Sequence, residues 1–166
     1  MRVLIAYGSK RGGTAGLAAM IRDEFTALGL QASAEPARKV RRLDGYDAVV
    51  IAGALYANRW HRDARRFARR HAKALRERPV WLVASGPLDE SAVAGDIPPV
   101  KHVASVMAEI RARGQVTIGG RLQPDAKGFP ASAMAKNRAG DWRDPAHVRR
   151  WASEVGEALA HLDQAT

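Results

Sequence analysis

Short strand-like runs alternate with segments of helical period along the whole chain, and no other feature limits its fold as strongly. Residues 3–7, 48–52, 79–84 and 115–118 are the runs, rich in Val, Ile, Leu and Ala. The first three lack the apolar–polar alternation of a half-solvated strand, so each is expected to lie buried on both faces of a sheet. Between them Leu17, Ile21, Phe25 and Leu28 recur at helical spacing until Gly29, and residues 61–76 do likewise. Val100, Val103, Met107 and Ile110 mark a further helix ended by Gly114. Asp144 and Pro145 have the cap and first-turn chemistry that opens a last helix, with Val148, Trp151, Val155 and Leu159 on its inner face. Residues 30–35 supply a fifth, weaker strand, and residues 121–143 have no clear period. This alternation predicts an α/β fold, a five-stranded parallel sheet with helices on both faces. A chain of 166 residues is the size of one domain, so 1–166 is read as a single unit.

In such a sheet, ligands bind outside the carboxyl ends of the strands, where the strand order reverses. Three loops lead out there: 8–14, 53–60 and 85–97. The first reads Gly8-Ser9-Lys10-Arg11-Gly12-Gly13-Thr14. Its glycines allow a tight turn with exposed N–H groups. Ser9 and Thr14 add hydroxyls, and the helix that follows adds partial positive charge, which together make the chemistry of a phosphate cradle. The alternative is a plain turn whose helix is capped by Thr14. Gly8 and Gly13 have the spacing of a nucleoside-triphosphate loop, but Thr14 stands where that loop needs its lysine. A dinucleotide fingerprint fails at Lys10, which occupies the place of the middle glycine. A phospho-receiver site fails as well, because Gly8 and Gly53 close the strands where acids are required. One phosphate held by hydroxyls and amides points to a mononucleotide.

Composition closes other routes. The chain has no cysteine, which removes disulfides, thiolate nucleophiles, Cys-ligated zinc and iron–sulfur clusters. His61, His71, His102, His147 and His161 are scattered without metal-ligand spacing, and His71 falls on an apolar helix face as a packed side chain. No apolar run approaches the ~20 residues of a membrane span. The N-terminal run is too short for a signal peptide, so the sequence reads as cytoplasmic. The formal charge is +10, from 27 Lys+Arg against 17 Asp+Glu. Residues 59–78 hold nine bases and two acids, a net +7 of that total. Helical spacing puts Arg62, Arg65, Arg66, Arg69, Arg70, Lys73 and Arg76 on one face and Ala64, Phe67, Ala68, His71 and Leu75 on the other. Arg38, Lys39, Arg41 and Arg42 form a second basic group. Such a surface is a solvated face, a contact for anionic lipid or a contact for an acidic redox partner. No nucleic-acid-binding motif accompanies it, so no specific nucleic acid is expected.

Ser9-x-x-Gly12-x-Thr14 resembles the phosphate loop of flavodoxin-like FMN-binding domains. Gly53-Ala54-Leu55-Tyr56 with Trp60 resembles the loop over the flavin ring after the third strand, and Trp81 to Pro87 the next strand with its flavin loop. Gly119-Gly120-Arg121-Leu122, and Asp141-x-Arg143-Asp144 followed by Trp151-Ala152, are similar to one branch. That branch holds the quinone-linked protoporphyrinogen dehydrogenases and their flavodoxin-domain relatives. The resemblance spans nearly the whole chain and implies a flavodoxin-like three-layer fold with FMN as cofactor. By the same resemblance Ser9, Lys10, Arg11, Gly12, Gly13 and Thr14 surround the phosphate. Ala54, Leu55, Tyr56 and Trp60 lie along one side of the isoalloxazine ring, and Ser85, Gly86, Pro87 and Leu88 along the other. Loop 85–97 has no aromatic residue, so one face of the flavin is expected to stay open. Trp60 also falls on the apolar face of the following helix, and core packing and stacking stand as equal alternatives for it.

In function the resemblance implies an oxidoreductase with a quinone acceptor and a porphyrinogen or similar reduced substrate, working at the inner face of a membrane. The flavin carries the redox chemistry in such proteins, so no catalytic acid, base or nucleophile is nominated. Two alternatives stay open: an electron-carrier flavodoxin, and an FMN-free binding module that uses its basic surface. Ordinary carriers are acidic, and the +10 balance points away from that role. Residues 121–143 are read either as a flap over the site or as a long surface loop.

Overall fold

A computed structural model of the chain describes residues 1–10, 12–86, 97–122, 140–141 and 143–165. In chain order the elements are β1 (Arg2–Gly8), α1 (Gly13–Ala27), β2 (Gln31–Pro36), a 3-10 turn (Ala37–Lys39), β3 (Ala48–Tyr56) and β4 (Arg59–Trp60). Then follow α2 (Arg62–Arg70), α3 (Ala72–Arg76), β5 (Val80–Ser85), α4 (Lys101–Ile110), β6 (Gly114–Ile118), β7 (Arg121–Leu122), β8 (Gly140–Asp141) and α5 (Pro145–Gln164).

The expected parallel sheet is present, with five strands in the order β2-β1-β3-β5-β6. A sixth strand, the two-residue β4, folds back antiparallel onto the end of β3. The central strands are apolar without alternation because helices cover both of their faces. On one side Leu4, Val49, Ile51 and Leu82 meet Phe67 of α2, Leu75 of α3, and Val103 and Ile110 of α4. On the other, Val3, Ile5, Val50 and Val83 meet Leu17, Ile21 and Phe25 of α1 and Val148, Trp151, Val155 and Leu159 of α5. Burying each such side chain stabilises the fold by about 1.5–3 kcal/mol before the entropy of ordering is counted.

Register fixes the binding edge. Gly8 of β1 lies opposite Gly53 of β3, Ala54 opposite Ser85, and Ser85 opposite Ile118. Strand order reverses between β1, which leads to β2 on one side, and β3, which leads to β5 on the other. The crevice of a sheet wound this way opens outside Gly8 and Gly53.

Several local features differ from the sequence expectation. The second run does not stop at Ala52. It continues to Tyr56 and turns back through Ala57 and Asn58, which take φ of 48° and 61°, so most of the expected loop 53–60 is a strand–turn–strand hairpin. The helix over 61–76 is divided at His71, whose φ and ψ of −103° and 17° separate α2 from α3. The helix expected to reach Gly114 ends at Ile110, because Arg111 adopts a left-handed φ of 56°, and Gly114 instead begins β6. Residues 121–143 contain a short antiparallel pair, β7 with β8. The remainder of that segment, apart from Arg143, lies outside the described residues. Among the described residues no helix is long and apolar enough to cross a membrane.

Candidate functional site

The site begins where β1 ends. After Gly8 the chain turns through Ser9 to Gly12, and the Gly12 N–H donates to Ser9 Oγ at 3.0 Å. Gly12 has a φ of 79°, a conformation that costs any other residue about 1–2 kcal/mol. It is the N-cap of α1, whose Gly16 N–H donates to the Gly12 carbonyl oxygen at 3.0 Å. No side chain caps α1, and no acidic residue sits in its first turn. The plain capped turn is therefore not what forms.

Thr14 lies buried in the first turn of α1. It is 1% exposed, and its Oγ1 is buried without a hydrogen-bond partner. Burying an unpaired hydroxyl costs about 1–3 kcal/mol. A hydroxyl held in that state beside the open N–H groups of a helix start fits a phosphate oxygen, which accepts from all of them at once. Ser9, Gly12, Gly13 and Thr14 thus come together around one turn. Lys10 is exposed at the rim, and Arg11 lies outside the described residues.

The second wall is the β3–β4 hairpin. Ala54 is buried, and its carbonyl oxygen accepts the His61 N–H at 2.9 Å. Leu55 and Tyr56 are half-buried at the strand end. Trp60 takes the core alternative of the two left open for it. It is 1% exposed, and its indole N–H donates to the carbonyl oxygens of Gly53 at 3.1 Å and Val83 at 3.2 Å. It braces β3 against β5 from inside the core and presents no ring face to a cofactor. The third wall starts at Ser85, buried at the end of β5, and Gly86, whose N–H donates to the Ile118 carbonyl oxygen at 2.8 Å. Gly86 faces Leu55 closely enough that a Cβ there would lie 3.4 Å from the Leu55 Cβ. The second and third loops therefore converge. Pro87, Leu88 and the rest of 87–96 lie outside the described residues.

Two participants do not stand out in the sequence. His61 caps α2, accepting the Asp63 N–H on Nδ1 at 3.1 Å, and its ring centroid is 6.5 Å from that of Tyr56. A Cβ on Gly8 would come within 2.7 Å of that Nδ1, so the imidazole lies directly against the end of β1. Burial holds the His61 pKa below the ordinary value of 6.5. Asp63 opposes that shift, while Arg62, Lys10 and Arg65 add to it. The second participant is Arg143, which donates from Nη1 to the Gly13 carbonyl oxygen at 3.3 Å across 130 positions of sequence. Its guanidinium occupies the space that a Cβ on Gly16 would need. The only sequence signals were the position of His61 just before a helix and that of Arg143 inside a motif block.

Helices α2 and α3 and the segment before β3 present exposed cations. Arg38, Lys39, Arg41, Arg42, Arg62, Arg66, Arg69, Arg70, Lys73 and Arg76 are all exposed. Arg38 from the 3-10 turn joins Arg66 and Arg70 of α2 around a notch floored by Ala37 and Phe67, with Asp63 at its edge. Among the described residues no group of His, Cys, Asp or Glu is arranged to hold a metal ion.

Comparison with known proteins agrees with this fold. Residues 4–125 match the family described as Flavodoxin domain. The fold is similar to a cysteine-to-serine mutant of flavodoxin from Pseudomonas aeruginosa, with 16% identity, 96% of this chain and 99% of that chain covered, and a TM-score of 0.62. It is also similar to a flavodoxin of Streptococcus pneumoniae TIGR4, with 16% identity, coverage of 95% and 99%, and a TM-score of 0.61. Rubredoxin oxygen:oxidoreductase of Desulfovibrio gigas contains the same fold in 36% of its chain, with 14% identity, 96% of this chain covered and a TM-score of 0.63. No curated protein sequence matches the chain. The match over most of its length, on a sheet of this order, decides the matter: the chain belongs to the flavodoxin-domain family, and FMN is its cofactor.

Proposed function

We propose that this flavodoxin-domain redox protein is an FMN-dependent oxidoreductase of the quinone-linked type, acting on a porphyrinogen or a similar reduced anionic substrate. One observation carries the finer reading. Described parts of the blocks 119–122 and 141–144, by which the sequence resembles the quinone-linked protoporphyrinogen dehydrogenases, meet one another and the loop after β1. Within them β7 pairs with β8, and Arg143 bonds Gly13.

When bound, FMN supplies the redox chemistry, and the chain supplies binding, orientation and charge. Ser9, Gly12, Gly13 and Thr14 would hold the phosphate, and Lys10 adds positive charge at its rim. Tyr56 and Leu55 would line one side of the ring, with Ser85 and Gly86 on the other. Arg59, exposed on the hairpin, suits a substrate bearing carboxylates. The exposed cations of α2 and of the 3-10 turn suit an anionic lipid surface, where each basic residue contributes about 1 kcal/mol and where a quinone is dissolved.

The test is quinone-dependent oxidation of protoporphyrinogen by the FMN-loaded protein. A rate well above that of free FMN supports the reading. A rate equal to free FMN, with FMN still bound, overturns it in favour of an electron carrier.

A further inference from the structure

We propose that Arg143 is a specificity-determining residue of the cofactor site, one that makes the loop select a flavin bearing a phosphate over one without it. The inference rests on FMN being the cofactor and goes further, because Arg143 stands at none of the loop positions that the phosphate motif names.

Helix α1 receives a cation at its start. A helix N-terminus carries about half a positive charge, which acidic residues ordinarily offset and cations worsen. α1 has no side-chain cap and no acid in its first turn, as is also true of α3 and α4, whereas α2 has His61 and Asp63 there and α5 has Asp144. In place of an acid, α1 receives the guanidinium of Arg143, delivered from the far end of the chain onto the Gly13 carbonyl oxygen. The fit is specific. Gly16 leaves the gap that the guanidinium fills, and any side chain there would collide with it. Asp144, next in sequence, caps α5 through its Oδ1, accepting from the Ala146 N–H at 2.9 Å, so the backbone that carries Arg143 is fixed. One residue beyond Gly13, Thr14 holds its buried Oγ1 without a partner.

Dipole and unpaired hydroxyl each raise the free energy of the loop, a bound dianion relieves both, and the guanidinium beside them adds to its attraction. Arg143 acts through the loop that it orients and through its charge, so it is a positioning residue. Its effect should appear only when the ligand carries the phosphate.

The experiment measures affinity for FMN and for riboflavin, by quenching of flavin fluorescence, in the natural protein, Arg143→Gln, Arg143→Lys and Gly16→Ala. The expected result for Arg143→Gln is a loss of roughly five- to tenfold for FMN, with riboflavin unchanged, as removing a favourable charge near a helix start implies. Arg143→Lys restores most of the FMN affinity, and raised salt weakens FMN binding less in Arg143→Gln than in the natural protein. Gly16→Ala, which displaces the guanidinium, follows Arg143→Gln. An equal loss for FMN and riboflavin in Arg143→Gln marks a merely structural strap and overturns the proposal, as does no loss for either. If the natural protein binds neither flavin, the FMN assignment itself fails, which is a different result.

Discussion

The indole N–H of Trp60 lies 3.1 Å from the carbonyl oxygen of Gly53, the residue that ends the central strand pair opposite Gly8. The same N–H is 3.2 Å from the Val83 carbonyl oxygen, so one buried donor ties β3 to β5 just below the crevice. Trp60→Phe removes that donor and part of the ring volume. It is expected to cost about 1–3 kcal/mol in a urea titration. FMN affinity should change by less than threefold, because the ring is inside the core. A variant of full stability that loses FMN would mean that Trp60 stacks on the flavin after all.

The turn that follows places Ala57 at a φ of 48° and Asn58 at 61°, the two positive values that a tight hairpin needs. Asparagine tolerates this region and alanine does not. Ala57→Gly is expected to raise stability by about 1 kcal/mol. Arg111, at 56° after α4, is a second such site, and Arg111→Gly should give a similar gain. Thermal melts of the two single variants and the double variant check this. The gains should add, since the sites are separate. A loss of stability in either would contradict the account of that turn.

These two turns also show where the sequence could be read and where it could not. The strands β1, β3 and β5 were legible because burial on both faces demands unbroken apolar runs. The turn between β1 and α1 was legible because its glycines are clustered. The β3–β4 hairpin was hidden because Ala57 stands where glycine would have signalled a turn. Trp60 was ambiguous because its spacing serves either role. Arg143 on Gly16 is a tertiary contact between distant segments, and nothing local to either residue announces it.

His61 gives the protein a pH dependence. Its Nδ1 must stay unprotonated to accept the Asp63 N–H, and burial lowers its pKa from 6.5. The pKa of His71 is lowered too, by burial first, with Arg70 adding to the shift. A histidine that binds protons less readily when folded favours the native state at high pH. That advantage is lost as pH falls below 6.5 and levels off below the folded pKa. Stability measured from pH 8 to pH 5 should decline over about that window. His61→Asn, which keeps a cap acceptor without titrating, should flatten part of the decline. A slope unchanged in His61→Asn would rule out this role.

The exposed cations of α2 bear on the membrane part of the proposal. Changing Arg62, Arg66, Arg69 and Arg70 to Gln should weaken sedimentation with phosphatidylserine vesicles by on the order of a hundredfold or more, at about 1 kcal/mol per residue. Raised salt should weaken the natural protein in the same way. Equal binding of natural and altered protein would remove the membrane role and leave FMN binding untouched.

The account turns on the unpartnered hydroxyl of Thr14, and FMN titration of the natural protein beside Thr14→Val tests it most directly. Valine keeps the shape and removes the buried polar group. Without FMN, Thr14→Val should be as stable as the natural protein or more so, because an unpaired buried hydroxyl costs about 1–3 kcal/mol. With FMN the order should reverse: the natural protein binds at micromolar concentration or below, and Thr14→Val binds roughly tenfold or more weakly. No FMN uptake by the natural protein at micromolar concentration, or equal affinity in Thr14→Val, would contradict it.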